Sequence, residues 1–295
     1  MDKIRKALDK ARFERSQLTG ALAEREPERV AVQPSSHARD ASLAAQRALR
    51  DHDGLHEPSV SLEHARSVPF TSDRSVLERN RILQPHALGP AASALRLLRT
   101  QVLKRMRERD WRTIGIASAR SADGKTTVAA NLAVTIATDP RHTALLVDLD
   151  LRRPTVAALF GISPQVGVDD VLAGRSQLDL AFTHPESIGR LRLLPARAAV
   201  PNSSSVVAGA ECHAMVAELR ERFVNRIVLF DMPPVLEADD AVTLASQFDC
   251  LLLVVSEGRT AREDLTRTLA LIRDTPVVGT VLNRSVEAIH SEAYG

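Results

Sequence analysis

Residues 118–127 read Ser-Ala-Arg-Ser-Ala-Asp-Gly-Lys-Thr-Thr, "SARSADGKTT". They follow a short apolar run, "TIGIAS" (113–118), and lead into "KTTVAANLAVTIAT" (125–138), which has helical character. The phosphate-binding loop pattern is G-x-x-x-x-G-K-[ST]. Gly124, Lys125 and Thr126 satisfy its end, while Ala119 stands at its opening position. A loop between a strand and a helix turns backbone N–H groups and the positive end of the helix toward anionic phosphates. In that reading Lys125 reaches the β- and γ-phosphates and the Thr126 hydroxyl ligates Mg2+. Composition adds a separate hint. Only five of the 39 Lys and Arg residues are lysines, and none follows Lys125. A chain that uses arginine almost everywhere keeps lysine where a slim point charge is needed rather than a planar fork.

Outward from this loop, strand and helix patterns alternate. Further apolar strands are expected at 143–150, 191–196, 226–231, 249–256 and 276–283, with helical patterns at 90–109, 204–223 and 260–274. The strands are nearly continuous apolar runs, as expected of a mostly parallel sheet covered by helices on both faces. Residues 86–295 are therefore read as one α/β domain of the P-loop NTPase type. Residues 1–85 are read as an extension. A short helix over 1–15, with Ile4, Leu8 and Ala11 among basic residues, is a candidate docking surface for a partner or an anionic membrane. The rest, to about residue 85, lacks sustained periodicity and reads as a mostly disordered linker, with "SVLERNRIL" (75–83) read as a short helix packed on the domain.

The bulk numbers exclude several classes. A net charge of +2 gives no strong pull toward nucleic acid or acidic lipid. Two distant cysteines, Cys212 and Cys250, form no C-x-x-C and argue against a cysteine metal site. The N-terminus has no secretory apolar core, and no apolar run approaches the roughly 20 residues that span a bilayer. A cytoplasmic protein is expected, recruited to the membrane through a partner.

Two acidic motifs follow the loop. "LLVDLDLRRP" places Asp148 and Asp150 at the end of an apolar strand, and "IVLFDMPP" places Asp231 at the end of another. Ligands of open α/β sheets bind outside those carboxyl ends. One carboxylate of the first pair can hold Mg2+ through water while the other accepts a proton from an attacking hydroxyl. Asp231 suits a further contact to the metal.

The three motifs in this order resemble the bacterial tyrosine kinases of capsule and exopolysaccharide synthesis, the CpsD/CapB-like cytoplasmic autokinases, which are related to ParA and MinD. The segments that carry the resemblance are Asp123-Gly124-Lys125-Thr126, Asp148-Leu149-Asp150-Leu151-Arg152 and Asp231-Met232-Pro233-Pro234. The resemblance implies transfer of the γ-phosphate of Mg·ATP to tyrosine. It implies nucleotide contacts from Asp123, Gly124, Lys125, Thr126, Thr127 and Arg152, and metal organisation by Thr126, Asp148 and Asp231. It places Asp150 near the acceptor hydroxyl and leaves open which of Asp148 and Asp150 is the base. Asn283 falls where related ATPases touch adenine. Implied partners are further copies of the chain and the cytoplasmic segment of a membrane polysaccharide co-polymerase.

The sequence departs from that family in places. "ARSADG" is poor in glycine, and Ser93 stands where a Glu usually precedes Arg96 and Arg99 in the segment used for ring assembly. The usual C-terminal tyrosine cluster is replaced by a single tyrosine, Tyr294, the candidate phosphoacceptor. Arg120 occupies the position of the lysine that in ParA/MinD-like ATPases reaches a partner subunit's phosphate. Two alternatives stay open: a ParA/MinD-like regulatory ATPase, or a nucleotide-binding scaffold with negligible turnover.

Overall fold

A computed structural model describes residues 67–222 and 226–285. The helix expected over 1–15, most of the linker and Tyr294 lie outside the described residues. Among the described residues, eight strands form one sheet in the order β1-β4-β5-β3-β6-β2-β7-β8. They are β1 (Val68–Phe70), β2 (Thr113–Ser118), β3 (Thr143–Asp148), β4 (Thr183–Pro185), β5 (Leu191–Leu194), β6 (Arg226–Asp231), β7 (Cys250–Ser256) and β8 (Val277–Asn283). All pairings are parallel except β4 with β5.

The nine α-helices among the described residues are α1 (Arg74–Arg79), α2 (Pro90–Glu108), α3 (Lys125–Ala137), α4 (Val156–Phe160), α5 (Val168–Leu172), α6 (Ser203–Val207), α7 (Ala210–Glu221), α8 (Asp240–Ala245) and α9 (Arg262–Leu271). The single helical pattern read over 204–223 is two helices, α6 and α7, with Gly209 between them.

Every residue of β2, β3, β5 and β6 is buried. Successive side chains point to opposite faces of a strand. Ile114 and Ile116 accordingly join one apolar layer with α2 and α3, while Ala117, Leu145, Val147, Val228 and Phe230 join the other with α7 and α8. Gly115 marks a close approach in the second layer. A Cβ there would lie 2.6 Å from Met232 Sδ, 2.6 Å from Phe248 Cδ2 and 2.7 Å from Leu251 Cδ2. Helix α3 lies against β2, β3 and β6, and its small residues Ala129, Ala130 and Ala133 are fully buried. Its first residue, Lys125, is thereby fixed beside the carboxyl ends of the central strands.

The folded unit starts ahead of the expected boundary at residue 86. β1 pairs with β4, and Leu77 and Ile82 are buried in the layer beneath α3. Asn131 of α3 accepts from Leu83 N at 2.7 Å and donates to Arg81 O at 2.9 Å. These bonds satisfy the polar backbone of an otherwise irregular segment.

Candidate nucleotide site

The loop between β2 and α3 turns through two left-handed residues, Ala122 and Gly124. Gly124 has φ 91°, a conformation that glycine adopts without steric cost. Ala122 also sits in the left-handed region at φ 64°, whereas Ala119 does not. The missing opening glycine is thus not demanded by backbone torsion in this chain. Ala119 is buried, and its carbonyl accepts from Leu236 N at 3.1 Å. Ser118 O accepts from Val235 N at 2.9 Å, so the start of the loop is stitched to the segment that follows Asp231-Met232-Pro233-Pro234.

Asp148 and Asp231 end neighbouring strands and face each other in register. Both are fully buried. Lys125 Nζ donates to Asp150 Oδ2 at 2.7 Å and lies 3.6 Å from Asp231 Oδ1. Thr126 Oγ1 donates to Asp231 Oδ2 at 2.7 Å. Asp148 Oδ2 accepts from Thr155 N and Val156 N, at 3.0 and 2.9 Å. The five residues Lys125, Thr126, Asp148, Asp150 and Asp231 therefore form one cluster.

Three carboxyl groups crowd one ammonium, which opposes ionisation of all three at once. Burial works against the Lys125 charge, but Asp231, Asp150 and Asp148 outweigh it and hold its pKa above the ordinary lysine value. Burial and then Asp231 push Asp148 up to about 8. Burial likewise raises Asp231, against the pull of Lys125 and Thr126.

Among the described residues, Asp148 Oδ1 and Asp231 Oδ1 have no hydrogen-bond partner. Asp148 Oδ1, Asp231 Oδ1 with only the Lys125 ammonium 3.6 Å away, and the neighbouring Thr126 hydroxyl are a hard-oxygen donor set that fits Mg2+. No group of three or more His, Cys, Asp or Glu able to hold a metal occurs among the described residues. Mg2+ needs no such cage, because it keeps several waters and takes one or two carboxylates plus substrate phosphates.

The remaining sequence-derived candidates divide. Asn283 Nδ2 donates to Asp123 O at 2.9 Å, and a Cβ on Gly124 would meet that nitrogen at 2.1 Å. Asp123 Oδ2 accepts from Arg120 N at 3.2 Å. Asp123, Gly124 and Asn283 thus brace the loop together. Thr127 and Asn283 line a cavity of about 1080 Å³ that extends toward Leu97 and Leu98 of α2.

Arg152 does not join the cluster. Its guanidinium is taken up by Ser203, Ser204, Asp239 and Asp240. Arg120 is also engaged within the chain, through Nε and Nη2 to Asp264 at 2.6 and 3.0 Å. Arg96 donates to Ala87 O and Ser93 Oγ, both at 3.0 Å, and Arg99 to Thr135 O at 3.2 Å.

Sequence reasoning missed Glu237, which accepts from Ser121 N and Oγ at 3.0 and 3.2 Å, and it missed Asp264. The nearest available signals were an acid soon after the Pro233-Pro234 pair and an acid in the first turn of a helix, neither specific to the loop.

The ParA family model, described as the NUBPL iron-transfer P-loop NTPase, matches residues 111–293, more than half of the chain. The tyrosine-protein kinase YwqD of Bacillus subtilis is 29% identical over 223 residues, covering 75% of this chain and 92% of that protein. The tyrosine-protein kinase Wzc of Salmonella typhi is 27% identical over 65% of this chain, a match that spans only 27% of Wzc. Among solved structures, the VpsO kinase domain is 28% identical with a TM-score of 0.59, covering 66% of this chain and 95% of that domain. The chain belongs to the P-loop ATPase superfamily that unites the ParA and MinD proteins with the bacterial tyrosine kinases.

Proposed function

We propose that this chain is an ATP-dependent protein tyrosine autokinase that regulates the synthesis and export of capsular or extracellular polysaccharide. The reading is supported by the buried Lys125–Asp150–Asp231–Thr126 cluster and by relatives that are themselves tyrosine-protein kinases. Mg2+, held by Thr126, Asp148 and Asp231, would neutralise charge on the phosphates.

In this mechanism the residues of the chain position and polarise, with little covalent work to do. Backbone N–H groups of the loop and the start of α3 cradle the phosphates. Lys125 transfers its hydrogen bond from Asp150 to the β- and γ-phosphates. That frees the Asp150 carboxylate, which takes the proton of the acceptor phenol as the new O–P bond forms and the bond to ADP breaks. Asp148 is the poorer candidate for the base, since it is sealed in the core with one oxygen tied to two backbone N–H groups. Thr127, Asn283 and the adjoining cavity suit the nucleoside end.

Tyr294 is the acceptor in this reading. The activator is the cytoplasmic segment of a membrane co-polymerase, and the working form is an oligomer of this chain. No helix among the described residues is long and apolar enough to cross a membrane.

The chain has one tyrosine, and the ParA family match favours a second reading, a regulatory ATPase without tyrosine transfer. One assay separates them: incubation with labelled Mg·ATP, with and without the partner segment. Label on tyrosine that disappears in Tyr294→Phe supports the kinase. Phosphate released to water with no label on the protein supports the ATPase. Label retained in Tyr294→Phe excludes Tyr294 as the sole acceptor.

A further inference from the structure

Arg152 lies two residues beyond Asp150 and ties the segment after β3 to the N-terminal ends of α6 and α8. Its Nε donates to Ser203 Oγ at 3.1 Å and to Asp240 Oδ2 at 3.3 Å, and its Nη2 donates to Ser204 Oγ at 2.9 Å and to Asp239 Oδ1. Ser203 Oγ donates to the same Asp240 oxygen at 2.6 Å. Asp240 and Ser203 are each 1% exposed, so this side of the hub is fixed in the core.

The backbone on either side of Asp150 is also pinned. Leu149 N donates to Asp231 O at 2.9 Å, and Val200 N donates to Leu151 O at 2.8 Å. The Asp150 carboxylate itself is left with Lys125 and the Arg153 N–H, at 2.7 and 3.3 Å. Its position is set by the main chain that carries it, and that main chain is anchored on its far side by the planar fork of Arg152. A fork that makes several bonds at once defines a direction as well as a place, which a single ammonium cannot do.

We propose that Arg152, with Ser203 and Asp240 beneath it, is a positioning device that fixes Asp150 against Lys125. Arg152 then acts through Asp150 and not on the nucleotide. The proposal deepens the kinase reading and rests on it for the role of Asp150, while its geometric content can be tested independently.

The test uses the full chain and measures acetylation by N-hydroxysuccinimide acetate at Lys125 relative to exposed Lys104, mapped by mass spectrometry. Arg152→Ala and Asp240→Asn each raise the Lys125:Lys104 ratio about fivefold or more. The double variant is no more reactive than Arg152→Ala, because one device is removed once. Ser203→Ala moves the ratio in the same direction by about twofold, and it serves as the core-side variant if Asp240→Asn does not fold.

Kinetics supply the second readout. In Arg152→Ala, kcat for phosphoryl transfer falls about tenfold while KM for ATP stays within about twofold. An unchanged labelling ratio in Arg152→Ala overturns the proposal, as does an additive double variant. A rise in KM with kcat preserved also overturns it, since it would put Arg152 on the nucleotide. If the unaltered chain transfers no phosphate to tyrosine, the kinase reading fails, and the labelling ratio still decides whether Arg152 positions Asp150.

Discussion

Two cations flank the phosphate-binding loop and meet opposite surroundings. The Lys125 side chain is 9% exposed and sits among Asp150, Asp231 and Asp148, whereas that of Arg120 is 52% exposed and faces Asp264. Both make short ion pairs, at 2.7 and 2.6 Å. Distance alone would rank them equal. Solvent separates them: charges in a dry interior act on each other far more strongly than the same charges in water. The loop therefore carries one cation whose charge is felt by everything bound there and one that mainly trims the surface.

The largest expected effect is at the buried cation. Lys125→Met lowers phosphoryl transfer or hydrolysis by about 10²–10³-fold, the loss of roughly 3–4 kcal/mol of transition-state stabilisation. An undiminished rate would take Lys125 out of the mechanism and erase the contrast.

Next comes the proton on Asp148, whose pKa stands at about 8 against an ordinary 3.8. The folded, metal-free chain binds one more proton than the unfolded chain between those values. This contribution to stability is full at low pH and is lost as pH rises toward 8. If Asp148 holds Mg2+ as proposed, binding must expel that proton, so Mg2+ affinity climbs with pH, by at most about tenfold per unit, and levels off above about 8. Titration calorimetry across pH checks this. A flat profile in the unaltered chain, or an unchanged slope in Asp148→Asn, would contradict it.

A smaller effect belongs to the loop backbone. Ala122 pays for its left-handed torsion, so Ala122→Gly, less the added freedom of the unfolded chain, stabilises by about 0.5 kcal/mol. Thermal unfolding that shifts downward in this variant would count against the strain. The smallest effect is at the exposed cation: Arg120→Ala changes Tm by less than about 2 °C and ATP affinity by less than about twofold. A loss as large as that of Lys125→Met would give Arg120 a role with the nucleotide.

Much of the central fold could be read from the chain. The limits of β2 and β6 coincide with the apolar runs at 113–118 and 226–231, because strands buried on both faces need uninterrupted apolar residues. The edge was not legible in the same way. β1 and β4 are three residues each, "VPF" and "THP", and both contain proline. So short a run shows no period, and proline belongs at sheet edges where an N–H is dispensable.

The site divides along the same line. Lys125, Thr126, Asp148, Asp150 and Asp231 sit at strand ends or at the start of α3, where local sequence fixes position. The fates of Arg120 and Arg152 were hidden, because their partners Asp264 and Asp240 lie 144 and 88 residues away. With 37 acids to choose from, an arginine's partner is decided by the folded geometry.

The most direct measurement is calorimetric titration of the full chain with ATP, with and without Mg2+, in the unaltered protein and in Lys125→Met. One saturable site that requires Mg2+ and is severely weakened in the variant is the expected result. Equal binding with and without the metal, or full affinity in Lys125→Met, would mean that the buried cluster is not where the triphosphate is held.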